Sequence, residues 1–156
     1  MPGAKFFPEA KLNYAENLLQ SPDDSLAIEE FREDGFSNEL TRKELKNRTL
    51  KMARWLKSKG IKKGDRVCAY MPNSSETIIT MLATSALGAI FSSCSSDFGV
   101  EGVIDRFEQI EPKILVATNG YLYNGKLIER AEEIKTISKR LTSLEHILVV
   151  EYINSK

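Results

Sequence analysis

Cysteine and histidine are scarce in this sequence, and their scarcity excludes several kinds of site. The 156 residues include two cysteines and one histidine. Cys68 and Cys94 have no second Cys or His at ligand spacing, which excludes a Cys/His zinc site and argues against a disulfide framework. Free cysteines usually behave as small buried hydrophobic residues. We therefore expect two buried, reduced thiols in a cytosolic protein, with a redox pair as the alternative.

Net charge and long apolar runs are lacking too. The 22 basic and 22 acidic residues cancel, so no overall field favours nucleic acid or an anionic membrane. No segment has the ~20 apolar residues of a membrane span, and the first residues contain no apolar core of a signal peptide. We expect a soluble protein with neither nucleic acid nor a membrane as a partner.

Complete catalytic motifs are also missing. The sequence contains no Gly-x-x-x-x-Gly-Lys-Ser/Thr phosphate loop, no Gly-x-Gly-x-x-Gly fingerprint, no Gly-x-Ser-x-Gly elbow and no His-Glu-x-x-His helix. The lone histidine, His146, begins an apolar run, where we expect a structural or surface role. These patterns assign no catalytic residue and no metal ligand.

An N-terminal arm and a β-hairpin are predicted before the alternating strands and helices. Residues 1–24 are interpreted as the arm, with a short helix over 12–19. The Asp-Gly pair at 34–35 stands between two extended runs, which is a hairpin signal. Residues 25–156 are interpreted as one folding unit. The chain stops directly after an apolar strand, so we expect it to be an interrupted part of a larger domain.

A helix is predicted to begin near residue 41, and short apolar strands and longer helices alternate from Asp65 onward. Thr41 and Glu44 have the spacing of a capping box, and Asn73 with Glu76 is expected to cap a later helix. This alternation favours right-handed crossovers and a parallel sheet. The predicted class is α/β, with mainly parallel strands alternating with helices after a helical arm and a β-hairpin. Strands are expected within 67–71, 89–91, 114–117 and 146–150, an exposed loop over 118–126, and an amphipathic helix from Leu127 to Leu141.

Two strand-to-helix loops are candidate ligand sites. The first, residues 92–99, is rich in serine, and ligands of open α/β sheets bind beyond the carboxyl ends of strands. A strand end with an Asp or Ser helix cap explains the same pattern. The second, residues 119–126, combines tyrosines, glycines and Lys126, which suits an aromatic base and a phosphate but also an ordinary solvated loop. The charges at 129–130 are interpreted as a solvated face.

Several blocks together resemble a known enzyme family. They occur in family order across nearly the whole chain, and they resemble the acyl-adenylate-forming, ATP-dependent AMP-binding enzymes. Within that family, the blocks most resemble the acetoacetyl-CoA synthetases. The blocks are Leu12–Leu19, Lys62–Val67, Pro72–Ser74, Gly88–Ser93, Asp97–Val100, Asp105–Phe107 and Tyr123–Lys126.

The resemblance implies a two-step ligase reaction. Acetoacetate and ATP, with Mg²⁺, give an acyl-adenylate and pyrophosphate, and coenzyme A then displaces AMP to give acetoacetyl-CoA. It also implies that the phosphate loop, the magnesium-binding acid and the catalytic lysine belong to family segments beyond residue 156. We therefore expect residues 25–156 to be the N-terminal part of the AMP-binding domain and to be inactive alone.

Other functions fit the same sequence. One is a ligase for a different short-chain acid, such as acetate or propionate. Another is a noncatalytic binding module that self-associates through the edge of its unfinished sheet.

Coenzyme A contacts are implied by the resemblance at two places. The loop at Ser95, Ser96 and Asp97 would lie beside the pantetheine arm. Lys126 would lie near the 3′-phosphate, where relatives have a basic residue. Lysine keeps the charge of an arginine but lacks its bidentate fork, and Tyr123 stands where some relatives have a second basic residue.

Overall fold

The N-terminal part of the chain forms a short helix and a hairpin. The computed structural model describes residues 2–153. Met1 and residues 154–156, which belong to the predicted arm and to the predicted interruption, lie outside the described residues. Helix α1 (Tyr14–Leu18) is followed by β1 (Leu26–Phe31) and β2 (Ser37–Thr41), which pair antiparallel as predicted. The Asn13 side chain caps α1 and also donates to the Ser85 carbonyl at 3.0 Å.

A four-stranded parallel sheet forms the middle layer of the remaining structure. Its strands are β3 (Arg66–Tyr70), β4 (Ile90–Cys94), β5 (Ile114–Thr118) and β8 (His146–Val150). They lie in the order β4-β3-β5-β8, and each neighbouring pair is parallel. The predicted α/β class is confirmed, and His146 begins a strand as expected.

Helices cover both faces of the sheet. They are α2 (Arg42–Ser58), α3 (Ser75–Ala86), α4 (Val100–Phe107) and α5 (Ala131–Arg140), with a 3₁₀ turn over Glu108–Ile110. One face packs against α4 and α5 around Tyr70 and Phe107. The other packs against α2 and α3 around Leu56 and Val116. Every residue of β5 is buried, as a parallel strand covered on both faces requires.

Helix caps agree with the sequence in one case and not in another. Thr41 and Glu44 form the predicted capping box at the start of α2. Helix α3 is capped by Ser74 instead of Asn73, because the Ser74 side chain accepts from the Thr77 amide. Glu76, the expected partner of Asn73, instead pairs with Arg48 at 2.6 Å.

The prediction of an exposed loop over residues 118–126 is wrong, because most of this range belongs to a β-hairpin. Strands β6 (Gly120–Tyr123) and β7 (Lys126–Glu129) form an antiparallel hairpin, and the predicted helix residue Leu127 lies in β7. Asn124 and Gly125 turn the chain with φ of 50° and 71°, the left-handed values of a two-residue hairpin turn. Tyr121 in β6 is buried, whereas the turn and three of the four residues of β7, including Glu129 at the base, are exposed.

The chain leaving β8 is fixed by contacts with the start of β6. The Asn119 side chain donates to the Ile153 carbonyl at 2.7 Å and accepts from the Tyr152 amide at 2.8 Å. Next to it, Gly120 has no room for a side chain. A Cβ there would overlap Ile153 and lie 2.6 Å from the carbonyl oxygen of Ile128.

We expect Gly120→Ala to destabilise the protein by about 1–3 kcal/mol, because backbone at Ile128 cannot move as freely as a side-chain end. Gly102→Ala in α4 is the matched control, since its Cβ would make only an ordinary contact, 3.6 Å from Phe98. That control should stabilise by about 0.5–1 kcal/mol, the helix cost of glycine. The free energy of unfolding of each variant is measured by urea denaturation. Equal values for the two variants would show that a Cβ at position 120 is not crowded.

Candidate functional site

Both candidate loops lie at one edge of the parallel sheet. The serine loop, defined here as residues 95–99, follows the carboxyl end of β4. The β6–β7 hairpin follows the carboxyl end of β5. Since β3 pairs in parallel with both β4 and β5, the two loops emerge on the same side with β3 between them. This edge is where open α/β sheets bind ligands.

The serine loop presents alternate residues to solvent. Ser95 and Asp97 are exposed, whereas Ser96 is 2% exposed. Helix α4 begins at Val100, and its N-cap residue is Gly99, so the helix has no side-chain cap. The helix-cap explanation of the serines and Asp97 is therefore wrong, since none of them caps α4.

Tyr70 fixes the end of the serine loop from below. Its hydroxyl donates to the Phe98 carbonyl at 2.6 Å. Burial raises the pKa of Tyr70 to about 12, and the nearby Arg130 charge offsets part of this effect. The phenol therefore stays protonated at neutral pH and remains a hydrogen-bond donor to the loop.

Arg130 joins the serine loop to the hairpin. This residue is 9% exposed, so its interpretation as part of a solvated face was wrong. Its Nε donates to the Ser96 carbonyl at 2.9 Å and its Nη2 to the Tyr121 hydroxyl at 3.0 Å. Its Nη1 pairs with Glu133 at 2.7 Å. Three groups from separate parts of the chain thus converge on one guanidinium.

Lys126 lies at the opposite end of the hairpin. It is exposed and pairs across the turn with Tyr123. The turn amides of Asn124 and Gly125 donate to the Glu33 carboxylate at 3.2 and 2.9 Å. The hairpin is therefore held at its base by Arg130 and at its tip by the β1–β2 turn. The structure places the hairpin base, and not Lys126, in contact with the serine loop.

Glu33 affects the chemistry available at Lys126. An anion bound to the Lys126 ammonium from the turn side would meet the Glu33 carboxylate, which the two turn amides already bind. Like charges so placed repel, and the lysine attraction is partly offset. A phosphate could bind the two turn amides only in place of the Glu33 carboxylate.

The two cysteines lie in the core and take no part in these loops. Both are free thiols, and both belong to the apolar cluster between the sheet and helices α4 and α5. Burial raises the pKa of Cys68, and it raises that of Cys94 as well. The prediction of two buried thiols is confirmed.

Residues 2–153 lack two features that would indicate other functions. There, no group of three or more His, Cys, Asp and Glu residues is placed to hold a metal ion. No helix in this range combines the length and the apolar character that a membrane crossing needs.

Comparison with known proteins identifies the family. Residues 15–155 match the family model described as AMP-binding enzyme. The chain belongs to this family. The AMP-binding match covers both candidate loops and the whole parallel sheet.

Within the AMP-binding enzymes, the chain is similar in sequence to proteins of one kind. The chain is 48% identical to the acetoacetyl-coenzyme A synthetase of Rhizobium meliloti (strain 1021), over 88% of this chain and 21% of that protein. It is 40% identical to the acetoacetyl-CoA synthetase of Macaca fascicularis, over 97% of this chain and 23% of that protein. The resemblance to acetoacetyl-CoA synthetases is confirmed. The chain spans less than a quarter of the length of these two proteins.

A solved structure carries the same name. The acetoacetyl-CoA synthetase from Streptomyces lividans matches with a TM-score of 0.92 and 35% sequence identity, covering 100% of this chain and 25% of that chain. The agreement extends to the arm and the first hairpin as well as the sheet, because the whole chain is matched.

We expect neither cysteine of this AMP-binding chain to react quickly with Ellman's reagent at pH 8. Burial raises the pKa of both thiols, so the reactive thiolate is scarcer at that pH than in an exposed cysteine. After unfolding in guanidinium, both thiols should react at once. Rapid native reaction of either thiol would contradict its burial.

Proposed function

We propose that the complete protein containing this chain is an acetoacetate–CoA ligase. In the first step a carboxylate oxygen of acetoacetate attacks the α-phosphorus of ATP, pyrophosphate leaves and an acyl-adenylate forms. In the second, the sulfur of coenzyme A attacks the acyl carbon, AMP leaves and acetoacetyl-CoA forms. The observation that carries the proposal is the 0.92 TM-score and 35% identity to a solved acetoacetyl-CoA synthetase over the whole chain.

Residues 1–24 are proposed to be the arm of this ligase, and residues 25–156 the N-terminal part of its adenylation domain. The capping and cross-contact of Asn13 support the first assignment, because they dock α1 onto the end of α3. The parallel sheet supports the second, since the match to the solved acetoacetyl-CoA synthetase from Streptomyces lividans covers this range. The proposed location is the cytosol.

ATP and Mg²⁺ are proposed to bind through other parts of the complete protein. Moving an adenylyl group needs positive charge or backbone amides around the phosphates. Within residues 2–153 no acidic cluster is placed to hold a metal ion, and the sequence has no phosphate loop. We therefore assign no residue of this chain to either ligand.

Coenzyme A is the ligand for which this chain supplies candidate contacts. Ser95 and Asp97 are exposed at the ligand edge of the sheet, and the pantetheine arm is proposed to pass over them. Ser96 is buried, so its proposed contribution is the backbone path of the loop and not its hydroxyl. Lys126 is proposed to meet the 3′-phosphate as a point charge, without the fork of an arginine.

The complete protein should catalyse acetoacetate-dependent exchange of labelled pyrophosphate into ATP. Residues 1–156 alone should not, because the sequence contains no phosphate loop. Acetate and propionate, assayed in parallel, separate the proposed substrate from the other short acids. Faster exchange with acetate or propionate would replace acetoacetate as the proposed substrate. Exchange catalysed by residues 1–156 alone would contradict the proposal that ATP and Mg²⁺ bind through other parts of the complete protein.

Lys126→Ala in the complete protein should raise the KM for coenzyme A about fivefold and leave the KM for ATP unchanged, since one exposed charge contact contributes about 1 kcal/mol at most. Glu33→Gln should lower the KM for coenzyme A, because it removes the negative charge beside the turn.

Glu29→Gln is the matched control for the second variant, since Glu29 is an exposed carboxylate on the neighbouring strand β1. Its KM for coenzyme A should equal that of the wild type. An unchanged KM for coenzyme A in Lys126→Ala would show that this lysine does not contact the ligand. A raised KM in Glu33→Gln would show that the Glu33 carboxylate does not repel the phosphate.

A further inference from the structure

We propose that Arg130 is a positioning residue for the use of coenzyme A. Its guanidinium ties the serine loop to the base of the hairpin whose tip carries Lys126. These two segments carry the groups proposed to contact coenzyme A, so the inference rests on the proposed function. Arg130 itself is buried and acts on the ligand through the segments that it holds.

The geometry of the guanidinium supports this role. Nε, Nη1 and Nη2 each have a different partner, at 2.9, 2.7 and 3.0 Å. The guanidinium carbon also lies 5.0 Å from the centre of the Tyr121 ring. Arginine donors have a fixed planar arrangement, so binding three partners fixes the partners relative to one another. A lysine carries the same charge on one nitrogen and cannot reproduce that arrangement.

The partner on the serine loop is a main-chain atom. Arg130 holds the carbonyl of Ser96, and Ser96 stands between the exposed residues Ser95 and Asp97. A shift of this carbonyl therefore moves both proposed contacts together. On the other side, the Tyr121 hydroxyl belongs to β6, whose last residue pairs with Lys126.

The hairpin can transmit this position because its two strands are paired along their whole length, from Gly120 and Glu129 at the base to Tyr123 and Lys126 at the tip. Its base is held by Arg130 through the Tyr121 hydroxyl. A ligand that spans the serine loop and the tip depends on the distance between them. Small misplacements of binding groups cost measurable rate or affinity even when no contact atom is removed.

The test compares Arg130→Lys with the wild type in the complete ligase. We expect the KM for coenzyme A to rise about tenfold, the lower end of the effect of losing a hydrogen bond to a charged group. Pyrophosphate exchange, which reports the first step without coenzyme A, should stay within about twofold of the wild type. Arg140→Lys is the matched control, since Arg140 is the last residue of α5, the helix that follows Arg130, and forms an exposed pair with Glu101.

Tyr121→Phe gives a second test in case Arg130→Lys fails to fold. It removes one acceptor of Arg130 and keeps the charge pair with Glu133. It should raise the KM for coenzyme A by a smaller factor than Arg130→Lys, again with exchange unchanged. Protection of the amides of residues 96–99 from hydrogen exchange should fall in both variants and not in Arg140→Lys.

The outcomes separate this inference from the proposed function. A parallel loss of exchange and coenzyme A use would show a general structural role and overturn it. If Lys126→Ala raises the KM for coenzyme A but neither Arg130→Lys nor Tyr121→Phe does, the inference alone fails. If the wild-type protein forms no acetoacetyl-CoA, the proposed function fails, and this inference fails with it.

Discussion

The need to cover both faces of a parallel sheet determines the rest of this structure. Strands β3 and β5 are the inner strands, and their side chains alternate between two separate apolar clusters. A parallel sheet requires a crossover after each strand, and the crossovers supply the helices that cover the faces. The same connectivity brings all carboxyl ends to one edge. The serine loop and the β6–β7 hairpin are neighbours in space for this reason, although 20 or more residues separate them in sequence.

Arginine side chains fix the segments that this arrangement leaves at the edges. Arg32 donates to the Tyr152 carbonyl at 2.7 Å and lies over the Tyr152 ring, joining the first hairpin to the chain after β8. Arg66 donates to the Ile110 carbonyl at 2.6 Å, and Arg130 donates to Ser96. In each case a permanently charged fork satisfies a main-chain carbonyl far away in sequence. Carbonyls at strand and helix ends have no partner in a regular element, so these contacts also satisfy polar groups near the core.

The sequence predicts the sheet better than the loops, for a physical reason. Buried strands such as β5 are continuous apolar runs, and the Thr41–Glu44 capping box is a purely local signal, so both can be read without knowing the fold. The β6–β7 hairpin was missed although the Asn124-Gly125 pair is a strong turn signal. Its strands are short, and the Gly120 backbone packs on Ile153, 33 residues away, so their pairing depends on tertiary contacts.

Arg130 was beyond sequence reasoning altogether. An arginine before a helix with Glu133 three positions later has the pattern of a solvated ion pair, and only the fold shows its other two partners. Ser74 and Asn73 show the same limit on a smaller scale. Either residue suits a helix cap, and only the structure shows that Ser74 caps α3 while Glu76 pairs with Arg48 on another helix.

The two ends of the hairpin differ in how firmly they are held, and this difference bears on ligand binding. At the base, Arg130 is buried, and its ion pair and hydrogen bonds are little screened by solvent. At the tip, the Glu33 carboxylate and its two amide donors are exposed, so salt and water weaken that contact. A chain with zero net charge attracts an anion only through local groups. At the tip these groups are the exposed Lys126 and the amides of Asn124 and Gly125, which the Glu33 carboxylate already occupies.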